Sequence, residues 1–468
     1  MDPLAQGAII GAMALVFFMI GMPIAFALGL TAIVSIWFFL GPSQFDLLGK
    51  FVFDSTNDFG LLAIPLFVLM GNLFGGSTVS RHLFEAGEAW LARIKGGLAM
   101  SSVMASSIFA ALTGSSAATA AAIGHVAVPE MQQRGVSARI ATGAVAAGGT
   151  LGILIPPSVT LILYGIASEE SIGQLFAAGI IPGIIITILF CVWIYFGTML
   201  EERRAARVLA SADDRVPAAV GGGGENGSFS METGLADESV AEAQHYSWRE
   251  RVTKLAKVSP FVVLIVCVLG VLYAGIATPS EAAAVGVVLV LLLVGVAYRG
   301  LGFKQLLKVL LETTNQSTMI LMIVAFSAVI ATVLSFLTVP QELAGLVTEL
   351  EVNRWVVMIA INVVLLIMGL FLPPVSIIVM VTPILYPLII GLGFDPIWFG
   401  IVMTINMEIG LITPPVGLNL YVLQGVVPHV ALKDILIGAV PYIFVLSASI
   451  VLFSIFPGLV TWLPGLLY

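Results

Sequence analysis

Charged side chains are scarce in this sequence: Asp, Glu, Lys and Arg make up 10% of its 468 residues, against about 25% in an ordinary soluble domain. So few charges cannot cover the surface of a water-soluble fold of this length, which excludes a soluble enzyme or binding module. Cysteine and histidine are scarcer still, at two and four residues. Cys191 and Cys267 stand alone in apolar stretches with no CxxC spacing, so they read as small packing or lipid-facing residues. His82, His125, His245 and His429 are scattered, with no metal-ligand spacing. The absence of GxSxG, HExxH and Walker lysine motifs removes the common hydrolase, metalloprotease and nucleotide-driven readings. No basic n-region precedes the first apolar stretch, so a cleavable signal peptide is not expected. No nucleic-acid partner is expected either.

What is present is apolar sequence, 59% of the chain. Stretches of membrane-spanning length recur, as at 259–278, 280–298 and 435–456. Each is close to the roughly 20 residues a helix needs to cross about 30 Å of hydrocarbon. None alternates at period two as barrel strands do. The expected fold is an all-α polytopic membrane protein in the lipid bilayer. Spans are expected at about 7–22, 23–40, 60–76, 138–166, 172–199, 259–278, 280–298, 317–337, 396–424 and 433–457. Two further apolar stretches, 97–128 and 355–388, suit re-entrant hairpins that enter and leave on one face. With residues 1–6 outside, this topology puts 17 of the 19 Lys and Arg residues in cytoplasmic loops and leaves Lys50 and Arg354 outside, in accord with the positive-inside rule. Residues 205–247, with four consecutive glycines at 221–224, read as a flexible cytoplasmic linker. It separates a first repeat at 1–204 from a second at 248–468.

The two halves match at an offset of 258 residues. GILIPPS (152–158) falls on GLITPPV (410–416), Pro129 on Pro387, and DSTND (54–58) on ETTNQ (312–316). The hairpins they carry are expected to enter from opposite sides. That is the inverted-topology repeat of secondary transporters, whose halves exchange conformations.

The broken spans carry the expected chemistry. Unwound backbone survives in a membrane only inside protein or beside a polar cavity, and proline frees carbonyls in mid-helix. GTLGILIPPS (149–158) and EIGLITPPVG (408–417) therefore suit a small hard cation, with the following half-helix N-terminus suiting an anion. The hairpin tips LTGSSAATA (112–120) and GLFLPPVS (369–376) are the partner surfaces, the second exposing Pro373, Pro374 and Ser376. Small residues in membrane helices often serve only close packing; here they coincide with hairpins and repeat across the halves. Glu408 is an intramembrane carboxylate, a functional candidate by default. Asn406 and Asn419 flank the second break. Asn57 and Asn315 read as helix-start or hinge residues, and Glu281 as a helix-start carboxylate after Thr278. Residues 77–96 and 302–316 read as amphipathic arms lying in the interface.

AAGGTLGILIPPSVTLILYG (146–165), TPSEAAAVG (278–286) and NMEIGLITPPVGLNLYV (406–422) resemble the large membrane subunit of tripartite ATP-independent periplasmic (TRAP) transporters. The resemblance covers nearly all the chain except 205–247. It implies Na⁺-driven uptake of a carboxylate, such as a C4-dicarboxylate or sugar acid, across the bacterial inner membrane. It also implies a small four-helix membrane subunit, a periplasmic substrate-binding protein, and an elevator-type transport domain on a scaffold. By the same resemblance, Gly114, Ser115 and Ser116 with Gly152 and Pro156 frame one Na⁺ site. Ser376 with Gly410, Thr413 and Pro414 frames the other, with Asn419 nearby. Ser158, Pro373, Pro374, Glu408 and Asn419 are the substrate-binding candidates. The sequence departs from the family in its long insert and in LPPVS at a tip where an acidic residue is often found. The rival reading is a stand-alone ion-coupled dicarboxylate or antiport carrier. An intramembrane enzyme would need a catalytic dyad or metal cluster, and the sequence shows none.

Overall fold

The computed structural model describes residues 1–75, 79–213, 246–297, 302–349 and 352–468, and its regular elements are helical throughout. The chain begins with α1 (Pro3–Met19), α2 (Ile24–Ser35), α3 (Phe45–Thr56), α4 (Ala63–Gly75) and α5 (Val79–Leu91). There follow α6 (Gly97–Thr113), α7 (Ser116–Gln133), α8 (Ala138–Thr150), α9 (Val159–Ser168) and α10 (Ile172–Asp213). The rest begins with α11 (Trp248–Tyr273), α12 (Pro279–Val290), α13 (Phe303–Phe336), α14 (Val339–Glu349) and α15 (Arg354–Gly369). It ends with α16 (Pro374–Gly391), α17 (Pro396–Leu411), α18 (Leu418–Val426), α19 (Leu432–Ile455) and α20 (Gly458–Leu467).

Among the described residues five helices are each long and apolar enough to cross a bilayer: Ile172–Arg204, Trp248–Tyr273, Phe303–Phe336, Pro374–Gly391 and Leu432–Ile455. Other expected spans are shorter apolar helices or are broken. The expected span 138–166 is α8 and α9 joined by a 3-10 turn at Leu151–Ile153, and 396–424 is α17 and α18. Each stretch read as a hairpin divides near its middle, into α6 and α7 and into α15 and α16. The arms have 16 to 18 residues, about 25 Å each at 1.5 Å per residue. Each is longer than half a crossing.

Three local expectations are corrected. Residues 205–213 belong to α10 and not to a linker; the run is rich in alanine, the strongest helix former. At the other end, Ser247 opens α11 through a capping box with Glu250. Most of the expected linker, 214–245, lies outside the described residues. Residues 303–316 are not a separate arm, because α13 runs unbroken for 34 residues with neither glycine nor proline to stop it. Asn315 is therefore mid-helix while its match Asn57 ends α3. Glu281 closes a capping box with Thr278 at the start of α12, as its position implied.

Packing divides the described residues into a large and a small core. The large core runs through α4–α12, the first part of α13 and α15–α20. The small one joins Ile10, Leu28 and Ala32 to Ile330 and Val333, tying α1 and α2 to α13. Large apolar side chains such as Phe38, Val266 and Phe444 remain exposed on the outside, as a lipid-facing surface requires.

Candidate functional site

The first tip is built by sequence chemistry that forces a tight reversal. Gly114 ends α6 with φ at +58°, where a side chain is strained, and Ser115 caps α7 by accepting from Ala118 N at 3.4 Å. The tip is pressed against the first break. A Cβ on Gly152 would lie 2.9 Å from the Ser115 carbonyl carbon, and one on Gly114 would lie 3.0 Å from Pro157 O. On another side α4 crosses so closely that a Cβ on Gly71 would lie 2.5 Å from Thr113 O. The expected contact between tip and break is therefore present, at backbone distance.

Asn419 joins this tip, not the second one. Its Nδ2 donates to Ser116 Oγ at 2.7 Å and to Ala146 O at 3.2 Å, and the Ser116 hydroxyl sits 3.0 Å from Asn419 Oδ1. Asn419 is wholly buried in the first turn of α18. The N-terminus of α18 is thus brought onto that of α7, beside the N-terminus of α9 that touches Gly114. Each helix start presents unpaired N–H groups and a partial positive charge of roughly +0.5. Ser115 and Ser158 each take up one such N–H, at α7 and α9, and those left over suit an anion. Ser158, a substrate candidate, is committed elsewhere. Its hydroxyl donates to Ile153 O at 2.5 Å and accepts from Leu161 N at 3.3 Å, capping α9 and closing its own break.

The second tip meets the second break differently. A Cβ on Gly410 would lie 2.5 Å from Gly369 O, so contact falls at the first residue of the tip, where α15 ends, and not at Pro373–Ser376. Pro373 caps α16 and is half-buried, while Pro374 and Ser376 are buried, not exposed as expected. Proline suits the first helical position because its missing N–H is an orphan there, and this packs the tip inward. Ser376 Oγ has no hydrogen-bond partner among the described residues. Thr413 donates to Ile409 O at 2.6 Å within its own break. Pro156–Pro157 and Pro414–Pro415 are cis. The two breaks differ in access: Pro414, Pro415 and Val416 are exposed, whereas Leu151–Leu154 and Pro156–Ser158 are buried.

Further polar contacts on α17 carried a weak sequence signal. Asn406 Nδ2 donates to Asn362 Oδ1 at 2.7 Å and to its carbonyl at 3.1 Å, binding α17 to α15. Glu408 is fully buried and neither of its oxygens has a partner among the described residues. Away from the breaks, buried Glu88 on α5 accepts from Arg134, which caps the C-terminus of α7, and from Tyr246 Oη at 2.8 Å. No group of three or more His, Cys, Asp or Glu side chains suited to a metal occurs among the described residues.

A family model described as "Tripartite ATP-independent periplasmic transporter, DctM component" matches residues 11–459. The chain is 36% identical over 439 residues to the C4-dicarboxylate TRAP transporter large permease protein DctM of Pseudomonas aeruginosa, covering 94% of each. It is 31% identical to the isethionate TRAP transporter permease protein DctMQ of Oleidesulfovibrio alaskensis, covering 96% of this chain and 65% of that relative. The solved YdaH transporter of Alcanivorax borkumensis shares the fold, with a TM-score of 0.54 at 16% identity over 89% of this chain and 88% of that one. With the apolar helices, these likenesses define a multi-pass membrane permease, not an enzyme. More closely, the chain belongs to the DctM family and is the large permease subunit of a TRAP transporter.

Proposed function

We propose that this permease carries a small organic anion inward across the bacterial inner membrane, coupled to Na⁺, as part of a binding-protein-dependent system. The observation that carries the reading is the contact of each hairpin with a broken span at backbone distance, Gly152 on Ser115 and Gly410 on Gly369, beside which the half-helices α9 and α18 begin. Helix starts favour negative charge without a buried lysine or arginine, and they hold an anion loosely enough to release it. The relatives' names fit this chemistry: a C4-dicarboxylate and isethionate are both small organic acids, one with carboxylates and one with a sulfonate. The substrate class is thus an acid group at the N-termini, with a small polar body.

The cation reading rests on oxygen donors. Ser376 Oγ and Asn406 Oδ1 are buried acceptors without partners among the described residues. A cation bound in each half supplies positive charge that offsets the charge of the anion during transfer. Ser115 and Ser116 would hold it in the first half, with carbonyls near Gly152 and Pro156. Ser376 and Thr413, with carbonyls near Gly410 and Pro414, would hold it in the second.

The inverted repeat and the elevator-like motion belong to the same proposal. Gly152 and Gly410, 258 positions apart, both meet hairpin backbone, and the cores separate α1, α2 and part of α13 as a scaffold. Exposure of one break and burial of the other is what a one-sided state of such a carrier requires. On this reading the N-terminus is periplasmic and residues 205–247 face the cytoplasm. The isethionate relative, named DctMQ, extends well beyond this chain. Its extra length supports a small membrane subunit here supplied separately, alongside a periplasmic binding protein.

The test is uptake of labelled dicarboxylate and isethionate into proteoliposomes holding this chain, its small subunit and the binding protein, with and without an inward Na⁺ gradient. Uptake that needs all three components and Na⁺ is expected. Uptake by the chain alone would replace this reading with a stand-alone carrier.

A further inference from the structure

Away from the tips and breaks, α8, α10 and α19 enclose a crevice of about 220 Å³. It reaches Arg204, the last residue of the apolar span Ile172–Arg204, and so lies at a membrane boundary. Its shape follows from unequal packing. A Cβ on Gly438 of α19 would lie 2.3 Å from Arg139 O of α8, so these two helices touch backbone to backbone. Beside them α10 stands off, since a Cβ on Gly197 would meet only Trp193 of its own helix, at 3.9 Å. Gly197, Leu200, Glu201 and Arg204 recur at helical spacing, and this one stripe of α10 lines the crevice.

The polar groups of the crevice are largely uncommitted. Arg204 and Glu201 form no ion pair among the described residues. Arg139, which also lines the crevice, uses only its Nε, donating to Asp434 Oδ1 at 2.8 Å, and keeps its two terminal nitrogens. Pro441 interrupts α19 and has no N–H for the carbonyl of Ile437, four residues before it. Both residues line the crevice, so that carbonyl lacks its usual helical donor there.

Charge decides which ligand fits. Asp434 offsets Arg139, and Glu201 offsets Arg204, so a net anion finds no excess of positive charge. A ligand carrying both signs gains at each end. The guanidiniums suit a phosphodiester, while Glu201 and the freed carbonyl suit an ammonium with its three donors. The rest of the lining is apolar where it runs deeper. Trp193 stands eleven residues before Arg204, about 16 Å at 1.5 Å per residue, a depth of hydrocarbon.

We propose that this crevice is a binding site for one phosphatidylethanolamine. Its phosphate sits at Arg139 and Arg204, its ammonium at Glu201, and its acyl chains run along α10 past Trp193. The lipid fills the groove that α10 leaves beside the close pair α8 and α19. Its binding does not depend on which solute the permease carries or on the coupling ion.

The test is native mass spectrometry of the purified full chain titrated with phosphatidylethanolamine or with phosphatidylglycerol, which has the phosphodiester but no ammonium. The first lipid bound by the wild type should be phosphatidylethanolamine in preference to phosphatidylglycerol. Arg204→Gln should weaken its binding about fivefold, as loss of one interfacial cation does. Glu201→Gln should abolish the preference between the two lipids. Arg203→Gln alters a neighbour that does not line the crevice and should match the wild type. Neither Arg204 nor Glu201 has an ion-pair partner among the described residues to lose, so both variants should fold; should one not, the other still decides. A wild type that prefers phosphatidylglycerol overturns the proposal, as do unchanged lipid affinities in Arg204→Gln and Glu201→Gln. Inorganic phosphate should leave the unfolding midpoint where it is. A rise with phosphate that Arg204→Gln removes would mark a free-anion site and overturn the lipid equally.

Discussion

At the first tip one hydroxyl and one amide bond the two halves of the chain to each other, and their loss should be readable. Ser116→Ala removes the bond to Asn419, a change of about 1 kcal/mol for a typical hydrogen bond. We expect the variant to fold and to need several-fold more Na⁺ for half-maximal uptake; an unchanged Na⁺ curve in proteoliposomes would place the first cation site elsewhere. The glycines at the contacts are less forgiving. Gly410→Ala puts a methyl 2.5 Å from a carbonyl oxygen, closer than packed atoms tolerate, so α15 and α17 must separate. Uptake should fall at least tenfold, on the order of the 1–3 kcal/mol that overpacking costs. Gly270→Ala, where no atom lies within 4 Å, is the matched control and should transport normally.

Among the elements, α5 and α7 depend on one another through charge. Glu88 is 4% exposed and lies between Arg134 and Tyr246, with the Lys254 ammonium 4.2 Å over the Tyr246 ring. Burial, and then the bond to Glu88, pushes the Tyr246 phenol above its ordinary range. Arg134→Ala leaves Glu88 buried and without its charge partner. That should cost about 3 kcal/mol, seen as a lower unfolding midpoint in detergent. Tyr246→Phe keeps the ion pair and should cost only about 1 kcal/mol. Equal losses in the two variants would show that the tyrosine, not the ion pair, fixes α11 against α5.

For the molecule as a whole, the proposed motion requires that α7, α8, α18 and α19 travel together. Arg139 on α8 meets Asp434 on α19 at 2.8 Å, and Gln132 meets His429 at 2.7 Å. Nearby, α8 and α19 cross so closely that a Cβ on Gly143 would lie 2.2 Å from Gly438 O. A disulfide formed in the double variant Arg139→Cys, Asp434→Cys should therefore leave uptake unchanged within about twofold, since the pair sits inside one moving body. Blocked uptake, restored by reductant, would show that α8 and α19 slide past one another.

What the sequence determined follows from composition and local chemistry. Scarce charge and long apolar runs require a helical membrane protein, because unpaired backbone is excluded from lipid. Gly-Pro punctuation at 152–157 and 410–415 breaks two spans wherever they pack, and Gly114 and the Thr278–Glu281 box set their own turns. Tertiary structure alone decided which of these pieces meet. Asn419, close in sequence to the second break, bonds to the first tip because α18 packs on α7 across the halves. Ser158, a hydroxyl in a suggestive motif, is consumed by its own cap. Ser376 turns inward while Pro414–Val416 face out, although the motifs look alike. Burial and partnership are properties of residues brought together from more than two hundred positions apart, and no local pattern encodes them.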